Sequence, residues 1–476
     1  MSLVEQPQQR PLEDRALLEQ VFGYVGKGQS CFLRVNRQWI DIYVQLFGAK
    51  TTYDAALVSD TRIEVAVAEG CPLTEELFRR AAEKGNIRVC IRLKSFNCPR
   101  DRRACMAAAR GGQLEVLKWL REGPDVCPWD ESTCRGAAMG GHLDVLRWLR
   151  EGPDPCPWNE FTCRGAARGG HFEALIWLRE GPDPCPWDGH TCAAAASGGH
   201  LAILEWLREG LDPCPWDRWT CAGAAEGGHL EIIKWLRKGP DPCPWNESTC
   251  EAAAEEGHLE VLQWLREGPD QCPWDARTCS GAASGGHLDV LQWLREGPDP
   301  CSWDESTCEA AAEGGYLKIL QWLRQGPDPC PWHTNTCAAA ARGGHLEVLQ
   351  WLREGPDVCL WDRQTCEAAA EGGHLDVLQW LREGPDPCPW DERTCAAAAV
   401  GGHSEVLKWL REGPDLCPWN EETCPAWVVR EHPDMFEECF DYDEDSEQFV
   451  SIVNWVHANG CPCDCDEYDD SDDSDE

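Results

Sequence analysis

The chain is poor in several residues that a folded protein of this length usually carries. Among 476 residues there are 4 Met, 6 Tyr and 10 Phe, and 43 Lys and Arg stand against 83 Asp and Glu, for a formal charge of −40. An acidic field of that size repels phosphate backbones and anionic lipid, so neither nucleic acid nor a membrane surface is an expected partner. No stretch approaches the ~18 consecutive apolar residues of a spanning helix, which excludes a transmembrane segment. The N-terminal stretch contains Glu5, Glu13, Asp14 and Glu19 and no continuous apolar core, so no secretory signal is visible. A chain without such a signal stays where thiols remain reduced. The expected location is the cytoplasm, with the nucleus as the alternative. Also missing are a phosphate-cradling Gly-rich loop, a paired-carboxylate site and a nucleophile elbow. No enzymatic activity is therefore expected, and no catalytic, cofactor-binding or metal-ligating residue is assigned.

What is abundant is equally selective: 31 Cys, 26 Trp, 44 Gly and 33 Pro. The tripeptide Cys-Pro-Trp, or a close variant, starts at Cys127, Cys156, Cys185 and onward to Cys417 at intervals of 29 residues, and a second Cys follows seven residues later each time. Cys98 and Cys105 keep the register without the Trp. A second Trp recurs in step from Trp119 to Trp409, so only Trp39, Trp219, Trp427 and Trp455 fall outside the pattern. Copying of one segment, not chemistry, accounts for both residue counts.

The unit Cys127 to Pro155 shows what the repeat encodes. Thr133 reads as the N-cap of a short small-residue helix over Cys134 to Met139, and Gly140 and Gly141 break it. A second helix follows His142, with Leu143, Val145, Leu146, Trp148 and Leu149 at spacings of three and four and Asp144, Arg147 and Arg150 facing outward. Gly152-Pro153 stops it, and the Pro-rich remainder is a loop. Helix, turn, helix, loop, repeated without long-range insertions, predicts an all-α helix-turn-helix repeat solenoid whose core exists only by stacking. A monomer is expected.

The repeats resemble the ankyrin family. Thr-Cys-x-x-Ala-Ala-x-x-Gly-His-Leu-Glu-Val-Leu, as at Thr336 to Leu349, follows the ankyrin helix-pair pattern, and Gly-Pro-Asp-Pro-Cys stands where ankyrins carry Gly-Ala-Asp-Val-Asn. Units built on Cys-Pro-Trp are similar to those of large multi-copy families in algae and related protists. The period is shorter than in ankyrins, and Cys replaces the usual Pro and Asn. The resemblance therefore implies β-hairpins that are reduced or absent, with a partner held on the concave face.

The ends differ from the body. Residues 1–52 read as a small helical module, 53–97 as degenerate capping repeats, 98–424 as twelve repeats, 425–463 as a degenerate C-terminal cap and 464–476 as an acidic disordered tail. Within the first, an apolar helix with Leu18, Val21 and Phe22, then Val35 and Trp39 in Val-x-Arg-x-Trp, resembles an F-box, although Pro11-Leu12 inverts the usual Leu-Pro start. That resemblance implies an alternative function, a substrate receptor of a cullin-type ubiquitin ligase, with those five residues contacting the adaptor.

Three features could carry chemistry. Each unit offers Cys-x6-Cys-x7-His, as at Cys156, Cys163 and His171, which makes a metal-binding or redox array a further alternative. The His becomes Gln113 and Tyr316 in units whose Cys pair is intact, so the thiols read as buried packing groups and the His as a bond across the turn. The two Trp series read as core. Cys461, Cys463 and Cys465 are a weak metal signal and read as tail.

The primary expectation is a scaffold that binds a protein partner, one with a basic surface given the acidic body. Positions that change between units would meet it: Phe161, Arg164, Arg168, His190, Arg218, Trp219, Arg277 and Arg342. Aromatic and Arg side chains dominate binding hot spots.

Overall fold

The computed structural model describes residues 57–426 and 447–463, apart from positions 69, 70 and 72 and short stretches of the loops between repeats. Among the described residues are 26 α-helices, one short 3-10 turn and no strand. The molecule is thus a helical-repeat solenoid, and no hairpin forms in the described loops. The chain divides into two compact units, Met1–Trp216 and Asp217–Glu476, built on the same helix pair. No described helix is long and apolar enough to cross a membrane.

Each first helix starts one turn earlier than the sequence reading placed it. The helix Glu131–Met139 is capped by Asp130, whose Oδ1 accepts the Ser132 N–H at 3.0 Å. In the helix Gly189–Ser197, Asp188 and Thr191 bond reciprocally. Thr133, expected as the cap, is instead the third helical residue and fully buried. The reason is local: Cys-Pro-Trp is non-helical, Asp130 is extended immediately before the helix, and a carboxylate accepts orphan helix N–H groups better than Thr does.

Small residues let neighbouring first helices approach backbone to backbone. A Cβ added at Gly136 would lie 2.6 Å from the Met106 carbonyl oxygen, and one at Gly165 would lie 3.1 Å from that of Arg135. Gly costs helix stability, about 0.5–1 kcal/mol relative to Ala, and close approach is what it permits in return. Behind this layer the second helix Leu143–Glu151 buries Val145, Leu146 and Leu149.

The turn between the helices also joins successive repeats. Gly141 adopts φ +73°, a left-handed conformation that stops the first helix. The His171 ring packs on it so closely that a Cβ there would sit 2.3 Å from Nδ1, while Nε2 lies 3.0 Å from the Met139 carbonyl oxygen and donates to it. His200 does the same to Arg168 in the first unit, and His345 and His403 do so to Glu313 and Glu371 in the second. Tyr316 fills the place with its ring alone, against Gly286 and Gly314.

The paired thiols lie deep in the stack. Cys127 Sγ donates to the Asp101 carbonyl at 3.2 Å, toward the preceding repeat, and Cys134 Sγ reaches the Cys156 carbonyl at 3.8 Å, toward the next. Every described cysteine is a free thiol. Burial pushes Cys90 and Cys98 up to about 12. Hydrogen bonding to Cys156 and burial together push Cys134 up as well. Such groups are inert at neutral pH.

Candidate partner-binding surface

Two periodic rows reach the surface, and they do different work. The first joins the loops to the second helices. Trp129 and Trp148 meet edge to face at 5.8 Å, and the Arg121 guanidinium lies 3.9 Å over the Trp129 ring. The same Arg121 donates Nη1–H to the Cys127 carbonyl at 2.8 Å and Nη2–H to Asp154 of the next loop at 2.8 Å. In the second unit Arg353 repeats all three contacts, over Trp361, to Cys359 and to Asp386. Two expectations are corrected here. The Trp series is half-buried rather than core, and Arg150, placed outward by helical periodicity, lies over Trp158 at 3.9 Å and bonds the Cys156 carbonyl at 2.6 Å. A guanidinium can stack on an indole and donate in its own plane at once, which periodicity alone does not encode. The signal was available: an Arg recurs in register from Arg121 to Arg411.

The second row runs along the first helices and holds the proposed partner residues. In the first unit, Phe161 is 40% exposed at the start of the helix Glu160–Arg168, with Arg164 at 4.4 Å and Arg135 of the preceding repeat at 5.7 Å from its ring. Arg164 Nε donates to Asp188 Oδ1 at 3.1 Å, and His190 Nδ1 lies 3.5 Å from Asp188 Oδ2. Burial works against the Asp188 carboxylate, yet the Arg164 guanidinium outweighs it and holds its carboxyl below the usual range. Phe161, Arg164 and His190 therefore form one cluster, completed by Arg135 and Asp188. Arg168 stands at the other end of the same helix, away from them.

In the second unit, Trp219 is 42% exposed, with Arg218 5.1 Å from its ring. Arg277 pairs with Asp275 at 3.0 Å and lies 3.9 Å from Glu251, and Arg342 pairs with Glu371 at 3.1 Å. These three sites are separate patches on the row. The sequence reading missed Asp188, which orders the Phe161 cluster; the alternation of Asp and Asn at this cap position was its only trace.

A hollow of about 340 Å³ opens near the start of the first unit, between Asn97, Pro99, Arg100 and Val126. Asp125 closes one side of it, 3.0 Å from Lys94 and paired with Arg100. Its cations are thus already engaged by a carboxylate. Residues Leu18, Val21, Phe22, Val35 and Trp39, together with the acidic tail over 464–476, lie outside the described residues.

No family model matches the chain, and no curated protein matches it. Among solved structures it is similar to the pentatricopeptide repeat protein PPR10 in complex with an 18-nt psaJ RNA element, at 12% identity and a TM-score of 0.28, over 94% of this chain and 72% of that one. A cysteine-to-serine variant of the same protein, also with RNA, matches equally. The expectation excluded nucleic acid, whereas the protein in that solved structure is in complex with RNA. Net charge averages over a whole surface, whereas binding depends on the local field, so the total of −40 does not by itself exclude nucleic acid. The RNA belongs to that protein and assigns no ligand to this one.

Proposed function

We propose that the chain is a non-enzymatic binding scaffold, built of shortened ankyrin-like units, that holds a protein partner along the starts of its first helices. One observation carries the reading. At positions where the frame demands no particular residue, Phe161 and Trp219 stand 40% and 42% exposed, each beside an Arg side chain. Exposed aromatic and Arg pairs on a rigid frame are what binding hot spots consist of, because they offer area at low ordering cost. The Arg–Trp ladder, by contrast, is spent on joining loops to helices. A reducing interior of the cell, cytoplasm or nucleus, suits a stack filled with free thiols.

The test is capture by photo-crosslinking from positions 161 and 219 of the full chain. A protein lost in Phe161→Ala and Trp219→Ala, yet kept in Leu360→Ala, where a 66%-exposed Leu is removed from a loop, supports the reading. Crosslinks that go to RNA and vanish with nuclease overturn it, as does a partner indifferent to both aromatic substitutions.

A further inference from the structure

The last described repeat departs from the Arg–Trp pattern at two positions, 457 and 463. In the second unit the stack ends with Cys-Pro-Trp at Cys417, a short 3-10 turn Glu421–Thr423, and the helix Glu447–Ala458. Trp455 of that helix meets Trp419 edge to face at 6.4 Å, as Trp409 meets Trp390 at 6.0 Å one repeat earlier. The helix Glu447–Ala458 is thus the second helix of this repeat, and its loop, two residues shorter than in the preceding repeat, ends on the usual contacts. Cys461 N donates to the Val456 carbonyl at 3.0 Å, as Cys417 N does to Leu410, and Cys461 Sγ reaches the Asn420 carbonyl at 3.6 Å, as Cys417 Sγ reaches Asp391.

With the register fixed, two substitutions stand out. His457 occupies the place that Arg411 holds in the preceding repeat, and Cys463 occupies the place of Trp419. The stacked guanidinium and indole, 4.1 Å apart in that repeat, are replaced by an imidazole and a thiol. A third group is already there: Cys424, the second Cys of the repeating pair, fully buried and with Sγ 3.3 Å from His457 Nε2. The ligand atoms of Cys424, His457 and Cys463 all lie within 4.8 Å of one another. Tetrahedral zinc with Zn–S of about 2.3 Å places its ligand atoms ~3.8 Å apart, so the three need only a small contraction.

We propose that Cys424, His457 and Cys463 bind one zinc ion that clamps the C-terminal helix and its following loop onto the end of the stack. Binding forms two Zn–S bonds and one Zn–N bond, and releases two thiol protons to solvent, so that two thiolates balance the ion's charge. The fourth tetrahedral position is open to a water or a further thiolate. The Cys pairs of the other repeats do not bind in this way, because an Arg occupies the place of the His in each.

The experiment uses the full chain, purified with zinc and then freed of loosely held ion, with metal content measured and cobalt exchanged in as a probe. About one equivalent of zinc is expected, along with the visible bands of tetrahedral cobalt and a thiolate charge-transfer band. The double substitution His457→Arg/Cys463→Trp restores the residues of the preceding repeats, so the stack should keep its helicity while the metal content falls to near zero. Cys463→Ser alone should weaken zinc retention at least tenfold. A wild-type chain without zinc overturns the proposal. So does a helical double variant that keeps its full metal content, since the ion would then sit among other thiols.

Discussion

Replacing Arg295 by Ala tests whether the Arg–Trp ladder holds each repeat to its loops. The Arg295 guanidinium lies 3.8 Å over Trp303, and Nη1–H donates to the Cys301 carbonyl at 2.7 Å. Nη2–H reaches Asp328 at 2.7 Å, where the Arg side chain is 18% exposed and the Asp 73%. A half-shielded cation over Trp contributes about 0.5–2 kcal/mol. A charged donor on a carbonyl adds roughly 1.5–3 kcal/mol. The ion pair to the exposed Asp328 adds ~0–1 kcal/mol. These terms share one side chain and overlap, so Arg295→Ala should cost about 2–4 kcal/mol. Global unfolding of a repeat array need not be two-state, so the readout should be local. Amide exchange in the helices Leu288–Arg295 and Glu305–Glu313 should speed up about 30- to 1,000-fold, taking 1.4 kcal/mol as a factor of ten. Arg295→Lys keeps charge but not the planar stack, and should recover less than half of the loss. Exchange in Arg295→Ala less than tenfold faster, or full rescue by Lys, would refute the reasoning, because the plane of the guanidinium would then be irrelevant.

Other expectations follow from the same frame. Gly141→Ala should lower the melting temperature while Gly152→Ala leaves it unchanged, since the first has φ +73° with the His171 ring 2.3 Å from the new Cβ and the second meets nothing within 4 Å. In a thiol titration of the folded, metal-free chain, Cys71, Cys461 and Cys463 should react before any fully buried cysteine such as Cys250, and the other described cysteines only on unfolding. The carboxyl of Glu367 is pushed up by burial, more than Arg393 lowers it, so the fold favours its neutral form: its contribution is full at acid pH and is lost as pH rises through the folded pKa. Glu367→Gln should therefore raise the urea midpoint at pH 7 and leave it unchanged well below the carboxylate range; a lower midpoint at pH 7 would contradict this. Phe161→Ala should leave the melting temperature within a degree or so of wild type, because a 40%-exposed ring contributes little packing.

Much of the frame could be read from one unit of sequence, because its determinants are local. Gly140-Gly141, Gly152-Pro153 and the spacing of Val145, Leu146 and Leu149 each constrain backbone or burial within a turn or two. The candidate surface was legible only in part. Variation between units singled out Phe161, Arg164, His190 and Trp219, yet variation cannot show that Asp188 ties Arg164 and His190 together. The cap slipped from Thr133 to Asp130 because both residues can cap, and only the non-helical Cys-Pro-Trp backbone chooses between them. In the sequence His457 stands four residues before Cys461, with nothing to mark that it meets Cys424 and Cys463.

By itself, then, the sequence determined the period, the helix pair, the placement of glycine turns and the use of cysteine as packing, since all are set by residues near in the chain. Tertiary structure decided what each periodic residue touches. In the regular repeats the contacts that join one to the next run between residues 22 to 33 apart, as from Cys134 to Cys156 and from Arg121 to Asp154. Their partners are fixed by how one repeat stacks on the next. That stacking turned Arg150 from a solvated charge into a clamp, and it brought Cys424, His457 and Cys463 within reach of one ion.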